Sequence, residues 1–309
     1  MSVPVASIVI PTYGRPRRIL ECLESLQRQD FPEPWEVVVV DDGSPEPVEA
    51  LLAGRSMAID LRVIRQANAG PAAARNFGVR EARGEIIAFT DDDCRPEPAW
   101  LETLVQAARD RPDALVGGTT MNGLPDELFS ATSQLIVDFV YEHFNADPAN
   151  AFFLASNNIL CRRDRFLSIG GFDESFPRAG GEDREFCDRW RVTGLPIVWL
   201  PGARIEHRHH QTLRKYLDLH FRYGRGARRY WLVREERGSG SMGDDLSFHR
   251  SLAARVWRRL RSPGSPQARL ATLVALGAWQ VANAAGFVAE DVAMRREGRN
   301  RGNAPPSGR

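Results

Sequence analysis

Three carboxylates stand side by side at Asp91, Asp92 and Asp93 in the stretch "GEIIAFTDDDC", directly after a short apolar run. Ionised carboxylates this close repel one another, so they need a solvated turn, a cationic partner or a bound metal. A capped turn accounts for the cluster taken alone, because "DDDCRPEPAW" leads into a helix and Asp caps helices well. Two further acidic positions shift that balance. Asp42 ends a second apolar run, "WEVVVVDDGS", and the pair Glu182-Asp183 lies in a Gly-rich loop ahead of another helix. Mg²⁺ or Mn²⁺ takes oxygen ligands and commonly binds through one or two carboxylates together with substrate phosphates. A crevice with such a metal suits the departure of a diphosphate, whose developing charge the cation neutralises. No GxGxxG follows the first apolar run and no GxxxxGK[ST] occurs, so neither loop type supplies phosphate binding.

The elements that must position these acids are legible from periodicity. Over residues 5–93, strand and helix signals alternate: "ASIVIPT", the amphipathic "PRRILECLESLQRQ", "WEVVVVDDGS", "IDLRVIRQ", the helical "GPAAARNFGVREARG" and "EIIAFTDDD". Continuous apolar strands separated by helices predict an α/β fold with a mostly parallel sheet covered on both faces. Ligands bind such sheets beyond the carboxyl ends of the strands, where Asp41-Asp42 and Asp91 to Asp93 both fall. A helix is expected over 98–110, a strand at "LVGGTT", a longer helix over 126–145, and a strand then a helix within "AFFLASNNILCRRDRFLSIGGFDESF". The loop "GGEDREFCDRWRVTG" feeds a helix ending at Gly194, and "PIVWLPGARIEH" follows as a strand.

Bulk properties narrow the class. With 309 residues and 43% hydrophobic content the chain can build a substantial core, and its formal charge of +1 is not that of a general nucleic-acid binder. Cys22, Cys94, Cys161 and Cys187 have no metal-ligand spacing and read as thiols of a reducing cytosol. The start lacks a basic region before its apolar residues, so no signal peptide is expected. Beyond His210 the character changes: Arg204 to Arg261 holds 15 Lys/Arg against 6 Asp/Glu, including the amphipathic "FHRSLAARVWRRLRS", with "GSGSMGDD" as an interrupting loop. Leu270 to Ala289 is a 20-residue run with no charge, long enough to span a bilayer but only weakly apolar. A spanning helix, an interfacial or dimer-forming helix and a docked core helix all remain open for it. The segment 298–309 is expected to be disordered.

Six motifs in order, "SIVIPTYGRP", "VVVVDDGS", "NAGPAAARNFGV", "GEIIAFTDDD", "GGFDE" and "GGEDREF", resemble the inverting family 2 glycosyltransferases of the GT-A fold, over residues 5 to 210. The resemblance implies a Rossmann-like sheet flanked by helices, with a nucleotide-sugar half over 1–95, an acceptor half over 96–210 and a helical extension over 211–297. It implies that Pro11 and Tyr13 line the nucleotide pocket, that Asp42 bonds the base or ribose, and that Arg75 and Asn76 close that pocket. Asp91 and Asp92 are then expected toward the ribose and Asp93 on the metal, Mn²⁺ or Mg²⁺. Glu182 and Asp173 are expected beside the donor or acceptor, and Asp183 as the base that deprotonates the acceptor hydroxyl. His207 of "RIEHRHH" is expected to complete the metal site, with His209 as the alternative ligand, since imidazole is an acceptable Mn²⁺ donor.

The chain departs from the processive polysaccharide synthases of this superfamily, which carry QxxRW. Here "QTLRKY" keeps Gln211 and Arg214 but has Lys215 in place of Trp, so transfer of a single sugar is expected. UDP is the first expectation for the nucleotide, with GDP and dTDP as alternatives, and the acceptor is expected to be a hydroxyl of a glycan, a small molecule or a lipid-linked sugar. A sugar-phosphate nucleotidyltransferase, an inactive nucleotide-sugar-binding protein and a nucleic-acid binder are the rival readings. The basic, Trp-bearing segment and the apolar run, residues 246–297, are expected to contact an anionic membrane or a second copy, at the inner face of the cell membrane.

Overall fold

The computed structural model describes residues 3–176, 180–240, 242–260 and 265–302. The chain opens as three β/α units: β1 (Ala6–Thr12), α1 (Pro16–Leu26), β2 (Trp35–Asp41), the short α2 (Val48–Leu52), β3 (Asp60–Arg65) and α3 (Pro71–Glu81). Then come β4 (Ile86–Phe89), β5 (Cys94–Pro96), α4 (Trp100–Asp110), β6 (Leu115–Asn122), α5 (Leu128–Phe144), β7 (Ile159–Arg162), α6 (Arg163–Ser168), α7 (Glu182–Val192) and β8 (Ile197–His207). Three helices finish the chain: α8 (Leu213–Arg237), α9 (Met242–Leu260) and α10 (Pro266–Gly302). Pro16 and Pro71 each stand in a first helical turn, where the missing N–H costs nothing.

The strands form one sheet in the order β3-β2-β1-β4-β7-β6-β8-β5. The first four are parallel to one another, which follows from the helical crossovers between them, while β7 is antiparallel to both β4 and β6. Alternation along β1 divides the core. Ile8 and Ile10 pack with Leu23, Trp100 and Leu104 on one face, and Val9 packs with Val79, Phe186 and Trp190 on the other. Each of these side chains is fully buried, a contribution of roughly 1.5–3 kcal/mol apiece.

The strand β5 is short but decisive. It crosses to the far edge of the sheet and pairs antiparallel with β8, with Cys94 opposite His207. The acidic turn between β4 and β5 therefore meets the end of β8. The buried side chain of Asn158 ties this half together: its Oδ1 accepts from Trp100 Nε1 at 2.7 Å, and its Nδ2 donates to the carbonyls of Thr119 and Ala203.

Several expected boundaries move. In "AFFLASNNILCR" the ladder holds only Ile159–Arg162, because the Asn158 N–H closes a turn onto the Ala155 carbonyl at 3.0 Å just before it. The interruption "GSGSMGDD" is shorter than expected, since Gly238 ends α8 in the left-handed region and α9 begins at Met242. Residues 298–302, expected to be disordered, continue α10 as helix; 303–309 lie outside the described residues. The helix α10 lies along α8 and, with α5 and α9, encloses a second apolar cluster containing Leu135, Phe139, Tyr216, Phe248, Leu276 and Trp279.

Candidate active site

Three carboxyl ends meet here: those of β1, of β4 with its turn into β5, and of β8. Asp93 is buried, and its Oδ1 lies 3.2 Å from His207 Nε2. Its other oxygen accepts from Arg18 Nη1 at 2.6 Å and Arg15 Nη1 at 3.3 Å. Asp92 is buried next to it, accepting from Thr12 Oγ1 at 2.6 Å and from Arg15 Nη1 at 3.1 Å. Asp91 points the other way and accepts from Arg75 Nη2 at 2.7 Å. The repulsion within the acidic run is thus relieved by three arginines and a histidine.

These contacts separate neighbouring carboxyls electrostatically. Burial raises Asp92, and the charge of Asp93 adds to it against the pull of Arg15, leaving it at about 6. Burial acts the same way on Asp93, but His207 and Arg15 outweigh it and hold that carboxyl well below its ordinary range. His207 is raised in turn, since Asp93 overcomes the burial that would lower it. His209 is pushed down to about 3 by burial and by the neighbouring His207.

Cys94 was passed over in the sequence, yet its sulfur lies within 4.8 Å of the donor atoms of Asp93 and His207. Burial, with Asp93 and Asp91, pushes this thiol far up, so it stays protonated, and it packs with the apolar core of the α1 face. An oxygen from Asp93 and an imidazole nitrogen from His207 are the donors that suit Mn²⁺ or Mg²⁺.

Arg75 connects this acidic turn to the second acidic pair. The guanidinium is buried, lies 5.6 Å over the Phe172 ring, and stands between Asp91 and Glu182, whose Oε1 is 3.6 Å from Nη1. Its Nε and Nη1 make no hydrogen bond, an arrangement suited to receiving an anionic group. Glu182 and Asp183 occupy the first turn of α7, after Gly181 at φ 98°. No side chain larger than hydrogen fits there: the Gly226 carbonyl of α8 would lie 2.9 Å from an added Cβ. Glu182 accepts from the Gly180 N–H at 2.7 Å, and Asp183 from the Arg184 N–H at 2.9 Å. Burial raises both acids, Glu182 to about 7 with help from Asp183.

The remaining expected residues are spread around this centre. Pro11 is the penultimate residue of β1 and Tyr13 is exposed just beyond the strand. Asp42 is buried and its carboxylate is spent locally, accepting from Gln66 Nε2 and from the N–H groups of Ala69 and Gly70. Asn76 clamps the loop "GGFDE": Nδ2 donates to the Phe172 carbonyl and Glu174, and Oδ1 accepts from the Phe172 N–H. Asp173 accepts from the Ser175 N–H in that same turn. Arg15, Arg18 and Thr12 were not singled out in the sequence. For the two arginines a signal existed in "GRPRR", which places them three and six residues past the first strand.

Beside Asp93 a cavity of about 560 Å³ opens between the start of α1 and one face of α8. Arg15, Arg17, Arg18, Lys215 and Arg222 line it, against the single carboxylate of Asp218. Its wall is therefore strongly cationic, the complement of a phosphate-bearing ligand.

Residues 7–169 match the family description "Glycosyl transferase family 2", and residues 147–211 match "N-terminal domain of galactosyltransferase". "Glycosyltransferase AglE" of Haloferax volcanii is 26% identical over 259 residues, which covers 83% of this chain and 80% of the relative. "Glucosyl-dolichyl phosphate glucuronosyltransferase" of the same organism is 30% identical over 218 residues, covering 65% and 68%. "Chondroitin synthase" of Escherichia coli is 29% identical over 234 residues, and there the chain spans only 34% of the relative's length. Among solved structures, the mannosyltransferase PcManGT of Pyrobaculum calidifontis, in complex with GDP-Man and Mn²⁺, superposes with a TM-score of 0.59 at 20% identity, covering 95% of this chain and 81% of that one. TarS of S. aureus in complex with UDP-GlcNAc superposes at 0.54 and 18% identity, covering 92% and 83%. With the family description matching more than half of the chain, on a sheet and acidic turn of the geometry described, the protein belongs to glycosyl transferase family 2 and is a glycosyltransferase acting on nucleotide sugars.

Proposed function

We propose that the protein transfers a single sugar, with inversion, from a nucleotide-diphospho-sugar to a hydroxyl acceptor, using a divalent cation held by Asp93 and His207. The convergence of these two side chains at 3.2 Å, from a turn and a strand end more than a hundred residues apart, carries the reading. The cation, Mn²⁺ or Mg²⁺, would neutralise charge on the departing diphosphate.

The chain's own groups do the rest. Residues 1–95 hold the nucleotide, with Pro11 and Tyr13 against the base, Asp42 framing that pocket through the 66–70 loop, and Asp91 and Asp92 toward the ribose. Arg75 offers Nε and Nη1, which make no hydrogen bond within the chain, to the donor and keeps Asp91 and Glu182 in register. The cationic cavity, with Arg15 and Arg18, receives the diphosphate charge. Residues 96–210 supply the acceptor side, where Asn76 fixes the loop that carries Asp173. Asp183 removes the acceptor proton as that oxygen attacks the anomeric carbon; the carbon–oxygen bond to the diphosphate breaks on the opposite face and its electron pair leaves with the nucleotide. Burial strengthens Asp183 as a base, because it raises the carboxyl above its ordinary value.

UDP is the first nucleotide to test, then GDP and dTDP. Calorimetry with each, with and without Mn²⁺, on the wild type and on Asp93→Ala is the experiment. Metal-dependent binding of one nucleotide, lost in the variant, is the expected result. Absence of binding to all three by folded protein overturns the reading.

A further inference from the structure

We infer that the outward face of α10, together with the exposed residues of α9, docks on the surface of an anionic phospholipid bilayer. One side of α10 is packed: Ala275, Leu276, Trp279 and Ala282 are buried, and the Tyr216 hydroxyl donates to the Ala275 carbonyl at 2.9 Å. The opposite side is apolar as well, which is unusual for a helix on the outside of a soluble domain. Leu270, Val274, Val281, Val288 and Val292 recur there every three to four residues or a multiple of that. Val274 is 65% exposed, Val281 71% and Val288 60%, and among the described residues no element covers them. Gly277 and Ala284 fill the places between, so from Leu270 to Val288 the stripe runs without a charge for about 27 Å, at 1.5 Å per residue.

The fold decides among the ways such a helix could meet a membrane. Its packed side lies along α8, which carries Lys215, Asp218, Arg222, Arg225, Arg228 and Arg229. Glu290 and Asp291 of α10 are paired with three of those arginines. A helix joined to so many charges does not cross hydrocarbon with its partner attached, so α10 lies along the interface rather than through it.

Charge complementarity selects a lipid surface over a second copy. The helix α9 packs into the same apolar cluster through Phe248 and turns Arg250, Arg258 and Arg259 to solvent, with Trp257 63% exposed among them. Arg295 and Arg296 stand exposed beyond the far end of the stripe. Exposed Trp with arginines is the composition that anchors at anionic headgroups. A stripe about 27 Å long and roughly 10 Å wide offers about 270 Å² per copy, well short of the ~800 Å² per partner of a stable dimer.

The test is co-sedimentation of the full chain with vesicles of phosphatidylcholine alone, or of equal parts phosphatidylcholine and phosphatidylglycerol. Wild type is expected in the pellet with the anionic vesicles and mainly in the supernatant with the neutral ones. Val274→Asp with Val281→Asp should abolish pelleting, and because both sites are solvent-exposed the melting temperature should hold. Arg258→Gln with Arg259→Gln should lower the partition coefficient about fivefold for each arginine removed. Wild type that stays in the supernatant with both vesicle types overturns the proposal, as does unchanged pelleting of the valine pair. A wild-type dimer in sedimentation equilibrium that the valine pair dissociates, without vesicle binding, assigns the face to a second copy and overturns it too. None of these readouts depends on sugar transfer, so nucleotide binding by the same preparations reports separately on the active site.

Discussion

Asp183 is half-buried beside the fully buried Glu182, and removal from water gives the pair its chemistry. A carboxylate removed from water holds a proton more tightly, so the raised Asp183 is a better base than a free aspartate. Asp183→Asn should keep nucleotide binding and lower turnover by about 10²- to 10⁴-fold, read by comparing calorimetry with a product assay. The base works ionised, so turnover should fall as pH drops through the raised values of the pair, with Glu182 titrating at about 7. A rate that does not decline on acidification at any pH where the protein stays folded would remove Asp183 from that role. Away from the site, Glu36 is a fully buried carboxylate that accepts from Ser7 Oγ, from the Arg83 N–H and from Arg83 Nε. Burial raises it, but these donors win and its pKa falls below the ordinary value. Its contribution is therefore full above the unfolded value of about 4.3 and is lost as pH falls through the lower folded one. Glu36→Ala should cost about 1–3 kcal/mol in urea unfolding at neutral pH, and the gap to wild type should narrow in acid.

At the scale of elements, two close approaches set the active site and the C-terminal unit. The strand β5 holds only three residues, yet its pairing with β8 is what brings His207 to Asp93. The helices α8 and α10 cross where each offers a glycine: a Cβ on Gly224 would sit 1.9 Å from the Asn283 carbonyl oxygen, and one on Gly286 would sit 1.9 Å from that of Phe221. Both contacts are with backbone, which cannot swing aside. Gly286→Ala should force the helices apart and lower stability by about 1–3 kcal/mol, visible as a drop in melting temperature. Gly226 and Gly180 meet as closely, so the same helix that supports α10 also presses on the loop ahead of Glu182.

For the molecule as a whole, the question is whether the C-terminal helices form a separate body. The apolar cluster answers that they do not: Leu135 and Phe139 of α5 share it with Tyr216 of α8, Phe248 of α9 and Trp279 of α10. Since α5 leaves β6 of the central sheet, this cluster fastens the extension to the catalytic body. Thermal unfolding should then be one cooperative transition, and Trp279→Ala should shift all of it by about 3–5 kcal/mol. A separate early transition of the extension in calorimetry would contradict this coupling.

The parallel half of the sheet was legible because β1, β2 and β4 are apolar on both faces and alternate with helices whose apolar residues recur every three to four positions. Asp91 to Asp93 and the Glu182-Asp183 pair were legible as well, since acids at strand ends and helix starts are local features of the chain. Partnership was not legible. Nothing local in "GRPRR" says that Arg15 and Arg18 reach Asp93, and nothing in "FTDDDC" says that Asp91 turns to Arg75 while Asp92 turns to Thr12. Those pairings depend on contacts across 16 to 80 positions, which a periodicity confined to a few turns cannot encode. The same limit left Leu270 to Ala289 ambiguous: its composition allows burial, lipid or a second copy, and only the packing of one face against α8 shows which residues are left outside.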